Sequence, residues 1–303
     1  MILGFLFFLN FCLQTAAHVS APPSDAAFAE TIKQLLHTVL TSDNTNAENA
    51  QVEHIFMTRG LPTIGEVGDQ ASYEFVVLLA GKDLSPKLRS EALPKIKSSG
   101  AQGTIPADAA TYYEARLRIR DAQESAMKHP PENPSLRDEI ELLVKDDQDV
   151  RQQKGFDAAR LVAVDAQHRA ALQSILDRYG VPTYASVGPQ AAGDFLLMIQ
   201  HQPSQFREQI LPKLKELVEA GQADPEKYAM EYDLAQRDAG KPQLYGERLE
   251  CNPGEPMHEA PMEDSAHVNE RRAALGLIRV ELYEALLKEV MPQFCPSDKD
   301  MPR

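Results

Sequence analysis

Gly60-Leu61-Pro62-Thr63 returns 120 residues later as Gly180-Val181-Pro182-Thr183, and this internal repeat constrains the fold more than any other feature of the 303-residue chain. At the same offset Val67-Gly68 meets Val187-Gly188, Gln70-Ala71 meets Gln190-Ala191, and Phe75 meets Phe195, giving eight identities over the 21 positions 60–80. Upstream, Val52, Ile55 and Phe56 fall on Leu172, Ile175 and Leu176, the i, i+3, i+4 stripe of an amphipathic helix in both copies. Downstream, Leu93-Pro94-Lys95 matches Leu211-Pro212-Lys213 after a two-residue deletion. The chain reads as a tandem duplication, so one unit's architecture sets the other's.

Each unit reads as helical. Ala166 to Tyr179 carries Leu172, Ile175, Leu176 and Tyr179 on one face, with Asp165 as its expected N-cap and Gly180 and Pro182 as its stop. Ala191 to His201 is apolar all round at Phe195-Leu196-Leu197-Met198-Ile199, which predicts the most buried helix. Further helices are expected from about Pro212 to Gly221 and from near Pro225, the latter bearing Tyr228 and Tyr232. Alternating β-branched runs with Asn-Gly or Asp-Gly turns are missing, so the expected class is all-α. His129-Pro130-Pro131-Glu132-Asn133-Pro134 reads as a stiff linker. The expected division is a first copy over 25–128, the linker over 129–134, a second copy over 135–290 and a tail over 291–303. The second copy is expected to carry an extra leading helix, opened by Ser135-Leu136-Arg137-Asp138.

Residues 1–21 contain no Asp, Glu, Lys or Arg, and Ile2 to Leu13 form an apolar run too short to span a bilayer. Small residues at Thr15, Ala16 and Ala17 complete the order of a secretory signal peptide, with cleavage expected near Ala17; the competing reading is a buried N-terminal helix. Export points to the periplasm, with no membrane span left after cleavage. Two cysteines then remain, Cys251 and Cys295, which suit either a disulfide or two buried thiols. Lys plus Arg number 31 against 45 Asp plus Glu, and the net charge of −14 argues against a nucleic-acid partner.

The copies have diverged unequally. Gln200-His201 closes the apolar helix of the second, where the first has Ala80-Gly81. Asp147-Gln148-Asp149-Val150-Arg151 and Gly240 to Gly246 have no visible counterpart in the first copy. These residues carry a resemblance. Asp147-Gln148 with Arg151, Gly180-Val181-Pro182-Thr183, Gln200-His201, Leu211-Pro212, Asp233, Gln243-Leu244-Tyr245-Gly246 and Asp264 to Arg272 resemble, in order, the motifs of a bacterial domain-of-unknown-function family over about residues 140–290. Val181 stands where that family shows Trp, Glu247-Arg248 where it shows Thr/Ser-Gln, and Asn269 where it shows Asp. The resemblance implies no activity.

Chemistry must therefore come from the residues. His201 with Asp233 suits a base and its orienting carboxylate. Gln148 and Arg151, three apart on one helix, suit an anionic group, with Gln200, Gln243 and Tyr245 as further binding candidates. The alternative is a polar network that ties helices together. His168 is placed on the solvated side of its helix. For metal, His258, Glu259, Asp264 and His267 crowd one loop without an established zinc spacing, so no metal and no cofactor are expected. No Gly-x-Ser-x-Gly or other nucleophile motif occurs. The leading functional expectation is an exported binding module for a protein, a peptide or a small anionic ligand. The alternative is a hydrolase-like enzyme using His201, Asp233 and Arg151.

Overall fold

The computed structural model describes residues 22–42, 44–81, 83–152, 158–250 and 258–290. The proposed signal segment, Cys251, Cys295 and the 291–303 tail lie outside the described residues.

The described chain is all-α apart from one two-residue ladder, an isolated bridge between Gln243 and Met262 and a 3-10 turn at Ser265–His267. Asp25 accepts a hydrogen bond from Phe28 N at 3.0 Å and starts α1, Ala26–Thr41, which buries Phe28, Ile32, Leu35 and Leu36. α2, Asn46–Arg59, stops at Gly60, whose φ of 81° an L side chain rarely adopts. Thr63 caps the single turn α3, Ile64–Val67, and leads into α4, Asp69–Leu79, in which Tyr73, Phe75 and Leu79 are wholly buried. α5, Pro86–Ala101, runs on through Pro94, and α6, Ala107–Lys128, closes the first half.

The same order follows in the second half. α7, Pro134–Arg151, is capped by Asn133, and α8, Ala158–Tyr179, stops at Gly180 with φ 72°. Thr183 and Ser186 form a reciprocal capping box on α9, Tyr184–Val187. α10, Pro189–Gln200, buries Phe195, Leu196, Met198 and Ile199. Here the helix corresponding to α5 breaks into α11, Ser204–Glu208, and α12, Leu211–Glu219, with Pro212 at the start of α12. α13, Pro225–Asp238, closes the set.

Backbone pairings repeat as well. Asp25 N donates to Glu66 O at 2.8 Å, as Asn133 N does to Ser186 O at 2.8 Å. Ile64 N donates to Thr104 O at 2.8 Å, and Tyr184 N to Gln222 O at 3.0 Å. Each half buries one arginine against a carbonyl five residues earlier and a carboxylate of its closing helix: Arg89 with Leu84 O and Glu124, Arg207 with Gln202 O and Asp238.

Several expectations need correction. α7 is no extra helix, since α1 stands at the same place in the first half. α8 begins at Ala158, so Asp165 lies in its interior rather than at its cap. His168 is not solvated; it is 4% exposed. A short ladder pairs β1, Leu249–Glu250, with β2, His258–Glu259, in register Leu249 to Glu259.

Two apolar cores result. One gathers residues of α1 to α6 with Ala273, and the other gathers residues of α7 to α13 with Ile119, Leu275 and Leu277. α6 therefore serves both cores, the first through Ala109, Tyr112 and Tyr113 in its first half and the second through Ile119 further along. So does the C-terminal segment: α14, Val268–Leu275, lies along α6, and Gly276 at φ 74° brings its backbone against Arg116. A Cβ there would stand 3.2 Å from Arg116 N, which is why only glycine suits the turn. Arg279 then grips Asp108 at 2.6 Å and Asp69 at 2.5 Å before α15, Val280–Val290. No helix among the described residues is long and apolar enough to cross a membrane.

Candidate functional site

The last turn of α7, the middle of α8 and the end of α10 meet at one polar cluster. Asp147 is its centre, 1% exposed on a helix whose other face is apolar. Arg151, one turn on, places Nε at 3.0 Å from both Asp147 oxygens and Nη2 at 2.6 Å from Asp165 Oδ1 of α8. Gln148 Nε2 donates to Asp147 Oδ2 at 2.9 Å. His201, the C-cap of α10, sets Nδ1 at 3.3 Å from Asp147 Oδ1, within ion-pair distance but out of hydrogen-bonding alignment. His168 of α8 pairs Nε2 with Asp146 Oδ2 at 3.0 Å and turns Nδ1 toward Asp147 Oδ1 at 3.9 Å. Both Nδ1 atoms are buried and have no hydrogen-bond partner among the described residues.

Burial and charge set the protonation states. Burial, joined by the Arg151 charge and opposed by Asp147, pushes the His201 pKa below the ordinary histidine value, so the ring is neutral at pH 7. Burial alone would lift Asp147. The hydrogen bond from Arg151, with the neighbouring His201 and Gln148, holds it below the usual carboxylate value, and it stays ionised. A neutral imidazole thus faces a fixed carboxylate. Arg151, Asp165 and His201 each keep about a quarter or a fifth of the side chain exposed, so the cluster has a solvent-reachable side.

Gln148, Arg151 and His201 are thus brought together. Asp233 is not with them. The carboxylate beside His201 is Asp147, whereas Asp233 on α13 is wholly buried and spent on the backbone, accepting from Leu244 N at 2.7 Å, Tyr245 N at 3.1 Å and Glu247 N at 2.9 Å. Gln243 likewise bonds backbone, donating to Arg248 O and Ala260 O and accepting from Arg248 N. Tyr245 packs edge-on against Tyr228 and Tyr232. Gln200 donates to Met230 Sδ at 3.2 Å. The loop candidates stay apart: exposed His258 lies 3.6 Å from Glu250, and exposed His267 lies 2.8 Å from Asp264. Asp165 and His168 are the residues that sequence reasoning missed, and Asp147 was noted without its role.

In the first half the equivalent positions hold Thr45, Glu48 and Gly81 in place of Asp165, His168 and His201. Thr45 donates there to Asp83 at 3.1 Å. The imidazoles are peculiar to the second half.

A further buried polar group without hydrogen bonds lies on α13. Glu231 is 1% exposed, its oxygens lack hydrogen-bond partners among the described residues, and Arg207 Nε stands 3.5 Å away. Burial raises its pKa from 4.5 to about 7, against the pull of Arg207. A carboxyl whose pKa is raised on folding adds stability at low pH and loses it as pH rises through the folded value. Wild type should therefore lose up to about 3 kcal/mol between pH 4.5 and pH 8 through this group. Glu231→Gln should match wild type at pH 5 and exceed it by about 1–3 kcal/mol at pH 8 in urea unfolding. An equal difference at both pH values would contradict the assignment.

A family model described as Family of unknown function (DUF6624) matches residues 134–292, just over half of the chain. The chain belongs to this family. No curated protein and no solved structure matches it. The DUF6624 region opens at the first residue of α7 and contains every member of the Asp147–His201 cluster, while α1 to α6 precede it.

Proposed function

We propose that this DUF6624 protein is an exported, tandemly duplicated helical binding module, with the first copy as scaffold and the ligand site at Asp147, Arg151, Asp165 and His201. One observation carries the reading: two buried imidazole nitrogens, of His168 and His201, face one carboxylate oxygen without a hydrogen bond. An unmet buried polar atom costs roughly 1–3 kcal/mol, and such departures from local consistency concentrate where a chain binds or reacts. The duplication is supported by the 120-residue register and the paired capping and arginine contacts of both halves. Export is supported by the charge-free apolar segment 1–21 and makes a Cys251–Cys295 disulfide the expected state in an oxidising compartment.

His201→Ala tests the reading. A site residue that makes no net stabilising bond should leave the unfolding free energy within about 0.5 kcal/mol of wild type, or raise it. A structural network instead requires a loss of about 2 kcal/mol or more, read by urea denaturation, and that loss would overturn the binding reading.

A hydrolytic reading has one observation in its favour. Neutral His201 has Nδ1 3.3 Å from ionised Asp147, so a small ring rotation would make the hydrogen bond by which a carboxylate orients a general base. Turnover of ester or phosphoester panels that vanishes in His201→Ala would select it.

A further inference from the structure

We infer that the Asp147–His201 cluster is a site for one transition-metal dication of the zinc class, an assignment that rests on the binding reading above and names its ligand. Asp147, Asp165 and His201 each offer one ligand atom, and the three atoms lie within 4.8 Å of one another. An ion about 2.1 Å from each of four ligands in a tetrahedron has ligand–ligand edges of about 3.4 Å. The His201 Nδ1 to Asp147 Oδ1 separation of 3.3 Å already equals that edge, so Asp165 has to close by little more than one ångström.

His168 supplies the independent observation. The residue is 4% exposed, and its Nδ1 has no hydrogen-bond partner among the described residues. Its Nε2 lies 3.0 Å from Asp146 Oδ2, and since an ionised carboxylate only accepts, Nε2 is the donor there and Nδ1 is the atom turned to the cluster. His168 Nδ1 lies 3.9 Å from Asp147 Oδ1, the oxygen that His201 also faces, so this ring nitrogen without a partner borders the same cluster. A carboxylate behind the histidine and a bare nitrogen in front is the outer-shell pattern of metal-bound imidazoles.

The donor set selects the ion. Calcium and magnesium require mostly oxygen ligands, whereas imidazole with carboxylate suits zinc, cobalt and nickel. Arg151 is the built-in competitor. It neutralises Asp147 and Asp165 with its own charge, so a metal has to displace Nη2 from Asp165 while Gln148 and Arg151 Nε keep Asp147 oriented.

The test is titration of the untagged full chain, stripped with chelator, with Zn2+, Co2+ and Mg2+ by calorimetry. The expected result is one Zn2+ per chain, no heat with Mg2+, and a Co2+ complex with the intense visible absorption of low-coordinate nitrogen and oxygen ligation. His201→Gln, His168→Gln and Asp147→Asn, each confirmed folded by circular dichroism, should weaken Zn2+ binding at least 10-fold. His258→Ala with His267→Ala should leave it unchanged. Absence of stoichiometric Zn2+ binding, or binding that survives His201→Gln and His168→Gln, overturns the metal assignment. The binding reading fails separately: it falls if His201→Ala destabilises the fold, and stands with a non-metal ligand if only the titration is negative.

Discussion

Arg272→Leu is expected to remove about 3–5 kcal/mol of stability, because it strands a buried carboxylate. Arg272 is 1% exposed on α14. It donates Nη1 to Glu247 Oε1 at 2.7 Å and to Tyr245 O at 2.6 Å, and Nε to Ile278 O at 2.5 Å, with its guanidinium 4.9 Å from the Tyr283 ring centroid. One side chain therefore joins the Tyr245-to-Glu247 segment, the turn after α14 and α15. Burial lifts the Glu247 pKa, and Arg272 with the Tyr283 hydrogen bond opposes the lift. With leucine at 272, Glu247 has lost its counter-charge in a site that water does not reach, and two carbonyls have lost their donor. A fall in melting temperature of roughly 10 °C follows for a chain of this size. The double variant Arg272→Leu with Glu247→Leu separates charge from packing: it should recover at least half of the loss, since the unpaired charge is gone. A double variant no better than Arg272→Leu alone would place the cost in the carbonyl bonds instead.

That ion pair shows where the sequence was readable and where it was not. Helix ends marked by glycine or proline, such as Gly180, Pro212 and Pro225, are local events, and the structure has them within a residue or two. The sequence does not reveal α1 as the counterpart of α7 because the register breaks upstream. α8 has 22 residues and α2 has 14, so the 120-residue offset that aligns their C-terminal ends no longer aligns what precedes them. The burial of His168 and the interior place of Asp165 are hidden for a related reason. Their helix face is polar, and polarity alone does not distinguish a face turned to water from one turned to the acidic end of α7. Gln148, Arg151 and His201 were legible because the first half has no comparable groups to set beside them. Asp233 was legible as a notable residue but not in its role, since a carboxylate that accepts from backbone 11 to 14 residues later leaves no periodic trace.

The role of Asp233 carries the other large expected effect. Its Oδ1 takes Leu244 N at 2.7 Å and Tyr245 N at 3.1 Å, and its Oδ2 takes Tyr245 N at 3.2 Å and Glu247 N at 2.9 Å. The four-residue segment 244–247 that follows α13 has no other acceptor for these donors among the described residues. Burial raises the pKa of Asp233, and the three backbone N–H groups work against that rise. Asp233→Ala removes every acceptor at once and should cost about 3–5 kcal/mol, at roughly 1–3 kcal/mol for each unmet buried donor with partial relaxation. Asp233→Asn keeps one carbonyl-type oxygen for Leu244 and Tyr245 but turns an amide N–H2 toward Glu247 N, donor against donor, and should fall between the two. Hydrogen exchange locates the damage: the amides of Leu244, Tyr245 and Glu247 should lose protection in Asp233→Ala, while those of Phe195 and Ile199 in α10 keep theirs relative to the new global stability. Because Asp147 rather than Asp233 faces His201, Zn2+ affinity in folded Asp233→Asn should equal that of wild type. A variant that keeps full stability but loses the metal would return Asp233 to the site and remove it from the scaffold.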